Sequence, residues 1–169
     1  MSRIFHSLAV AAILVSSAFP AWSVERQQLM RKGAWALDMK TDNIGVKSCE
    51  ARTGIKSGET LTISSDGSGV TTISLYNAGW EFGSEMRDEI FSMKAGNHPA
   101  KIFTALKSGS RIWTTLDERR SEIKYLNQLY TSSALRVISR NGIEIARFSL
   151  NGSSGILSAM EECKKALRK

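Results

Sequence analysis

The chain has 169 residues, of which 42% are hydrophobic and 23% charged, and its formal net charge is +7. This length suits one domain that can bury its own core. The sequence has no repeat, proline-rich or low-complexity segment that would indicate an array or a linker. The excess of positive charge favours anionic partners, although charge of this kind also serves solubility alone.

The first residues have the three-part layout of a secretory signal. Arg3 precedes an apolar run from Leu8 to Val15, and the small-x-small pattern Ala21-Trp22-Ser23 follows. The alternative is a membrane anchor, which needs about 20 consecutive apolar residues, and the apolar segment here is shorter. The pattern therefore predicts a signal peptide over residues 1–23.

Removal of that signal leaves a single domain over residues 24–169 with a formal charge of +6 and no transmembrane segment. We expect such a protein to be periplasmic or secreted, where nucleic acid is scarce. The anions available to it are lipid head groups, polysaccharides and acidic proteins of the envelope. An alternative interpretation is that the basic C-terminal residues only complement a helix dipole.

The two cysteines, Cys49 and Cys163, both lie in the predicted mature chain. An even number of cysteines in an oxidising compartment predicts one disulfide, Cys49–Cys163. A redox or nucleophilic thiol pair is the alternative. It lacks support, because the sequence has no Cys-x-x-Cys spacing and neither cysteine has a neighbouring histidine.

From residue 33 to residue 116 the sequence alternates between apolar and polar residues, with breaks rich in Gly, Ser, Asp and Asn, as in successive antiparallel strands. The predicted strands contain Trp35-Leu37-Met39, Cys49-Ala51, Leu61-Ile63, Thr71-Ile73-Leu75, Glu89–Met93, Lys101–Leu106 and Arg111–Leu116.

After residue 120 the apolar spacing changes to three and four residues. This spacing predicts a helix that begins at Ser121 and ends near Ser132-Ser133, and a second helix at the C-terminus, capped by Ser153 or Ser154. Two strands, 134–139 and 143–150, lie between the helices. The predicted fold is therefore α+β: an antiparallel, sandwich-like or strongly curved sheet of about eight strands, two helices, and a C-terminal helix attached by the disulfide.

The Asn141-Gly142 pair is a strong signal for a two-residue hairpin turn. In that register Val137 pairs with Ala146, and Ile138 pairs with Ile145. Arg136 then lies opposite Arg147, with Arg140 close by.

Facing arginines repel each other, and a bound anion would relieve the repulsion. Arg136, Arg140 and Arg147 are therefore candidate anion- or partner-binding residues. The alternatives are that the arginines extend into solvent, that they pair with Glu144, or that the register differs by one residue.

No residue pattern predicts catalysis. His98 is the only histidine of the predicted mature chain, it lies in a loop, and no Gly-x-Ser-x-Gly or nucleotide-binding glycine motif is present. We therefore expect no enzyme activity, no metal and no cofactor. A Ser/His hydrolase built on His98 is a remote alternative.

The C-terminal segment resembles the ends of small exported proteobacterial proteins, including invasion-associated locus B-like proteins and the TagO or VasI accessory proteins of type VI secretion. The residues that carry the resemblance are Leu126–Leu129, Ser133–Val137, Ala146–Ser153, Ile156-Leu157 and Cys163. The resemblance implies a bacterial envelope protein without known enzymatic chemistry and assigns no functional residue.

These observations together predict a non-catalytic exported binding or accessory protein that recognises a protein or an anionic component of the envelope. The alternative of the same kind is a secreted host-interaction protein or an inhibitor or immunity protein.

Overall fold

The computed structural model describes residues 24–117 and 122–168. The predicted signal peptide and the predicted cap Ser121 lie outside these ranges. Ten strands and two helices are present in them. They are β1 (Glu25–Lys32), β2 (Trp35–Thr41), β3 (Lys47–Gly54), β4 (Thr60–Ser65), β5 (Val70–Tyr76), β6 (Arg87–Ala95), β7 (Lys101–Ser108), β8 (Arg111–Asp117), α1 (Glu122–Thr131), β9 (Ala134–Ser139), β10 (Glu144–Ser149) and α2 (Ser153–Leu167).

All ten strands form one antiparallel sheet in the order β1-β2-β3-β4-β5-β8-β7-β6-β9-β10. The predicted α+β class, with an antiparallel sheet and two helices, is confirmed. The strand that the apolar pattern did not predict is β1. Every residue of β1 is exposed, so this edge strand lacks the alternation that burial of one face imposes on a sequence.

The sheet curves strongly enough to bring the start of β2 to the end of β10. The Trp35 indole N–H donates a hydrogen bond to the Ser149 carbonyl oxygen at 3.1 Å, and the Trp35 side chain is fully buried. The inward-facing residues of all strands from β2 to β10 line the concave face. The core on that face includes Trp35, Leu37, Leu61, Ile63, Ile73, Phe91, Phe103, Leu135, Val137 and Phe148.

Both helices pack onto this core. Leu126 and Leu129 of α1 and Ile156 and Met160 of α2 are buried, as their spacing predicts. The predicted disulfide is confirmed: Cys49 of β3 is bonded to Cys163 of α2, with Cα atoms 6.1 Å apart. No helix among the described residues is both long and apolar enough to cross a membrane.

The predicted cap of α2 was wrong. Neither Ser153 nor Ser154 is the cap residue, because the helix is preceded by Gly152 in a left-handed conformation (φ 88°), and no side chain caps it. A side chain at Gly152 would approach the Lys32 backbone oxygen at 3.2 Å. Glycine is therefore needed here both for its conformation and for its small size.

The β9–β10 hairpin also differs from the prediction near its turn. The Gly142 N–H donates to Ser139 O at 3.0 Å and the Ser139 N–H donates to Ile143 O at 2.8 Å, so the loop has three residues, with Gly142 at φ 80°. The predicted Ile138–Ile145 pair is wrong, because Ile138 pairs with Glu144.

A bulge between Glu144 and Ala146 then restores the predicted register. The pair Val137–Ala146 forms as predicted, and so do the two pairs beyond it, Arg136–Arg147 and Leu135–Phe148.

Candidate ligand-binding cavity

A cavity of about 340 Å³ opens at one end of the curved sheet. We call it the rim cavity. Its walls come from strands β6 to β10, from the β5–β6 loop (residues 77–86) and from the β9–β10 loop. The lining residues are Trp80, Phe82, Glu89, Phe91, Lys107, Ile112, Ser139, Arg140, Asn141 and Ile145. This volume lies at the lower end of the range found for small-molecule sites, about 300–1,000 Å³.

The apolar wall of the rim cavity is preformed. The Trp80 and Phe82 rings lie 5.5 Å apart between centroids, in a tilted arrangement. The hydrogen bonds that attach their loop to the β7–β8 turn include one from Ser110 Oγ to Trp80 O at 2.8 Å and one from the Phe82 N–H to Gly109 O at 2.8 Å. Because the loop is already held in place, its residues lose little conformational entropy when a ligand binds.

An ion pair lies inside the mouth of the rim cavity. Lys107 donates a hydrogen bond to Glu89 Oε2, and the Lys107 ammonium lies 5.5 Å from the Phe82 ring centroid. The hydrogen bond from Lys107 lowers the pKa of Glu89, and the positive charges of Lys107 and Arg140 lower it further. Glu89 is therefore a carboxylate at neutral pH.

Arg140 is the second cation of the rim cavity. Its side chain is exposed, and no carboxylate in the described part of the chain lies within ion-pair distance of it. The lining residues thus include two cations, Lys107 and Arg140, and one carboxylate, Glu89. The net charge of the rim cavity is +1 at neutral pH.

The structure separates the three arginines that the sequence grouped together. Arg136 and Arg147 pair across β9 and β10 on the outer face, since their neighbours Leu135 and Phe148 are buried on the concave face. Glu144 lies 3.1 Å from Arg147 Nε and 3.9 Å from Arg136 Nη1. Their pairing with Glu144, which the sequence left as an alternative, is the arrangement found, and only Arg140 reaches the rim cavity.

His98 lies in the turn between β6 and β7, at the opposite end of β6 from the rim cavity. Six residues of extended strand separate Glu89 from Ala95, a distance of about 20 Å. Within residues 24–117 and 122–168, no group of three or more His, Cys, Asp or Glu residues is placed to hold a metal ion.

Sequence reasoning missed the aromatic wall of the rim cavity. Trp80 lines the cavity from a loop and also packs against the core. A signal was available: Trp80 and Phe82 lie between glycines in a ten-residue segment without strand alternation, and binding residues are concentrated in loops of this kind.

The rim cavity therefore combines aromatic and aliphatic walls with a small excess of positive charge at its mouth. Such a surface binds molecules with an apolar body and an anionic group. Comparison of the chain with protein-family models, with curated proteins and with solved structures found no match.

Proposed function

We propose that this protein is an exported, non-catalytic binding module of the bacterial envelope that holds a small amphipathic ligand in the rim cavity. Export is supported by the signal-like N-terminal sequence and by the Cys49–Cys163 disulfide, which persists in oxidising compartments. The resemblance of the C-terminal segment to small envelope proteins supports the same location.

The observation that carries the proposal is the rim cavity itself, about 340 Å³ in volume and walled by Trp80, Phe82, Phe91, Ile112 and Ile145. All five side chains belong to the core or pack against it: Phe91 and Ile112 are buried core residues, and Trp80, Phe82 and Ile145 are partly buried against them. A monomeric protein gains nothing in stability from leaving such a cavity open, since filling it with side chains would remove more apolar surface from water.

Binding rather than catalysis is supported by the polar groups of the rim cavity. Its one hydroxyl side chain, Ser139, accepts a hydrogen bond from the Ile143 N–H at 3.2 Å and has no histidine among its cavity neighbours. The carboxylate Glu89 is paired with Lys107, so it is a poor general base at neutral pH.

Occupancy of the rim cavity can be tested with phenylnaphthylamine, an uncharged dye that fluoresces when it enters an apolar site. We expect the oxidised protein to bind the dye. Ile145→Trp should abolish binding, because Ile145 lines the cavity and a larger ring would fill it. Ile143→Trp is the matched control, since Ile143 lies in the same hairpin but is 64% exposed.

Both variants must unfold at a temperature close to that of the parent for the comparison to count. If the folded parent binds neither this dye nor its sulfonated analogue, anilinonaphthalene sulfonate, or if Ile145→Trp binds as well as Ile143→Trp, the rim cavity is not a ligand site. Export is tested separately by mass spectrometry of the envelope fraction. A protein that retains residues 1–23 in the cytoplasm would contradict that part of the proposal.

A further inference from the structure

We infer that the ligand of the rim cavity is a monoanion with an aromatic or short aliphatic body, and that Arg140 binds its anionic group. This inference rests on the proposed function and assigns the chemical class of the ligand. A small organic carboxylate, sulfonate or phosphate ester with a single negative charge fits the class.

The charges of the rim cavity do not cancel. Lys107 is neutralised by Glu89 within the cavity, whereas no carboxylate among the described residues lies within ion-pair distance of Arg140. One positive charge is thus left uncompensated, and one negative charge on the ligand compensates it. The guanidinium group suits this role, because its planar set of N–H donors grips the two oxygens of an oxyanion at once.

The shape of the β9–β10 loop places Arg140 at the rim cavity. A two-residue turn would have made Arg140 the last paired residue of its strand, opposite Ile143. Instead the three-residue loop, with Gly142 in the left-handed conformation, lifts Arg140 out of the ladder to the mouth of the rim cavity. The following bulge, between Glu144 and Ala146, makes Ile145 part of the cavity wall.

The three-residue loop thus supplies a polar component of the rim cavity, Arg140, and the bulge supplies an apolar one, Ile145. Bulges of this kind commonly redirect a side chain beside a binding site. The regular part of the hairpin shows the contrast, since its arginines, Arg136 and Arg147, lie near Glu144 on the outer face.

Glu89 favours ligands with a single negative charge over ligands with two. The Glu89 carboxylate lies among the apolar residues of the wall, close enough to Arg140 for their charges to interact. A second negative charge on the ligand would meet this carboxylate without a spare cation to balance it. Glu89 is therefore a positioning residue: it holds Lys107 in place and disfavours dianions.

The test compares two dyes of nearly the same shape. Anilinonaphthalene sulfonate carries one negative charge, and phenylnaphthylamine carries none. We expect the parent to bind the sulfonate more tightly than the neutral dye. Arg140→Ala should weaken binding of the sulfonate about tenfold. A loss of this size lies between the effect of removing a buried charged hydrogen bond and that of removing an exposed ion pair. It should change binding of the neutral dye by less than about twofold.

Arg147→Ala is the matched control and should leave both affinities unchanged, because Arg147 lies on the outer face and pairs with Glu144. Arg140→Lys should restore only part of the lost affinity, since an ammonium keeps the charge but not the planar donors. Glu89→Gln should improve binding of an anilinonaphthalene that carries two sulfonates more than it improves binding of the single sulfonate.

The outcomes separate the inference from the proposed function. If the neutral dye binds in the rim cavity but Arg140→Ala leaves the sulfonate affinity unchanged, the inference is wrong and the cavity still binds ligands. Equal weakening of both dyes by Arg140→Ala would also overturn the inference, because Arg140 would then only support the wall. If neither dye binds the parent, the proposed function fails.

Discussion

The disulfide offers the largest stability effect that can be worked out from the structure. Cys49 and Cys163 are separated by 114 positions, and the bond therefore restricts most of the unfolded chain. In the chain-entropy relation, a loop of this size lowers the entropy of the unfolded state by about 16 cal/mol/K, or about 5 kcal/mol at room temperature. Small domains are stable by only about 5–15 kcal/mol.

The perturbation is the double variant Cys49→Ala/Cys163→Ala, which removes the bond without leaving a free thiol. The α2 helix should remain docked, because Ile156, Leu157 and Met160 are buried with or without the bond. We therefore expect the loss to arise mainly in the unfolded state. Urea unfolding should show a free energy lower by about 3–5 kcal/mol and a steeper dependence on urea, because the uncrosslinked chain exposes more surface.

The parent in reductant is the control. It should unfold like the double variant, and reductant should not affect the double variant. A double variant that is within about 1 kcal/mol of the oxidised parent would refute the reasoning, since the bond would then not restrict the unfolded chain to the extent that its loop length requires.

Two further predictions concern the rim cavity and its hairpin. Gly142→Ala should lower the free energy of unfolding in urea by about 1–2 kcal/mol, because Gly142 has a left-handed backbone (φ 80°), whereas a Cβ there would meet nothing within 4 Å. Gly142→Asn should lower it less, since asparagine tolerates this backbone better than alanine. Equal losses for the two variants would contradict a purely conformational cost. Lys107 lowers the pKa of Glu89 in the folded protein below its ordinary value of 4.5. The ion pair therefore stabilises the fold at pH values above 4.5, and this contribution disappears as the pH falls through the lower pKa of folded Glu89. Glu89→Gln should therefore be less stable than the parent at pH 7 by up to about 1 kcal/mol. The two proteins should be equally stable at a pH low enough to protonate folded Glu89. A stability difference that persists in strong acid would show that the ion pair is not its source.

The elements that the sequence predicted correctly are those with an apolar face that packs into the core. The strands from β2 onward and both helices carry apolar residues at the spacing of their backbone, and burial of Leu61 and Ile63, or of Leu126 and Leu129, is what maintains that spacing. The edge strand β1 has no buried residue, so nothing in its sequence distinguishes it from a loop.

The candidate site was predictable only in part. The sequence identified Arg140 as a candidate anion-binding residue but placed it beside Arg136 and Arg147, because a two-residue turn at Asn141-Gly142 was assumed. The loop instead has three residues, and the bulge after Glu144 compensates for the shift. Both loop lengths accept glycine at a left-handed position, so the local sequence does not distinguish them.

By itself, the sequence determined the α+β class, the disulfide partners and the apolar faces, since these depend on residue spacing and on the count of cysteines. Only the tertiary structure decided that Trp80, Phe82, Glu89, Lys107 and Arg140 meet at one cavity. These residues come from strands and loops far apart in the chain, and the curvature of the sheet brings them together. Curvature arises from the twist and bulges summed over ten paired strands, a property that no short segment of sequence contains.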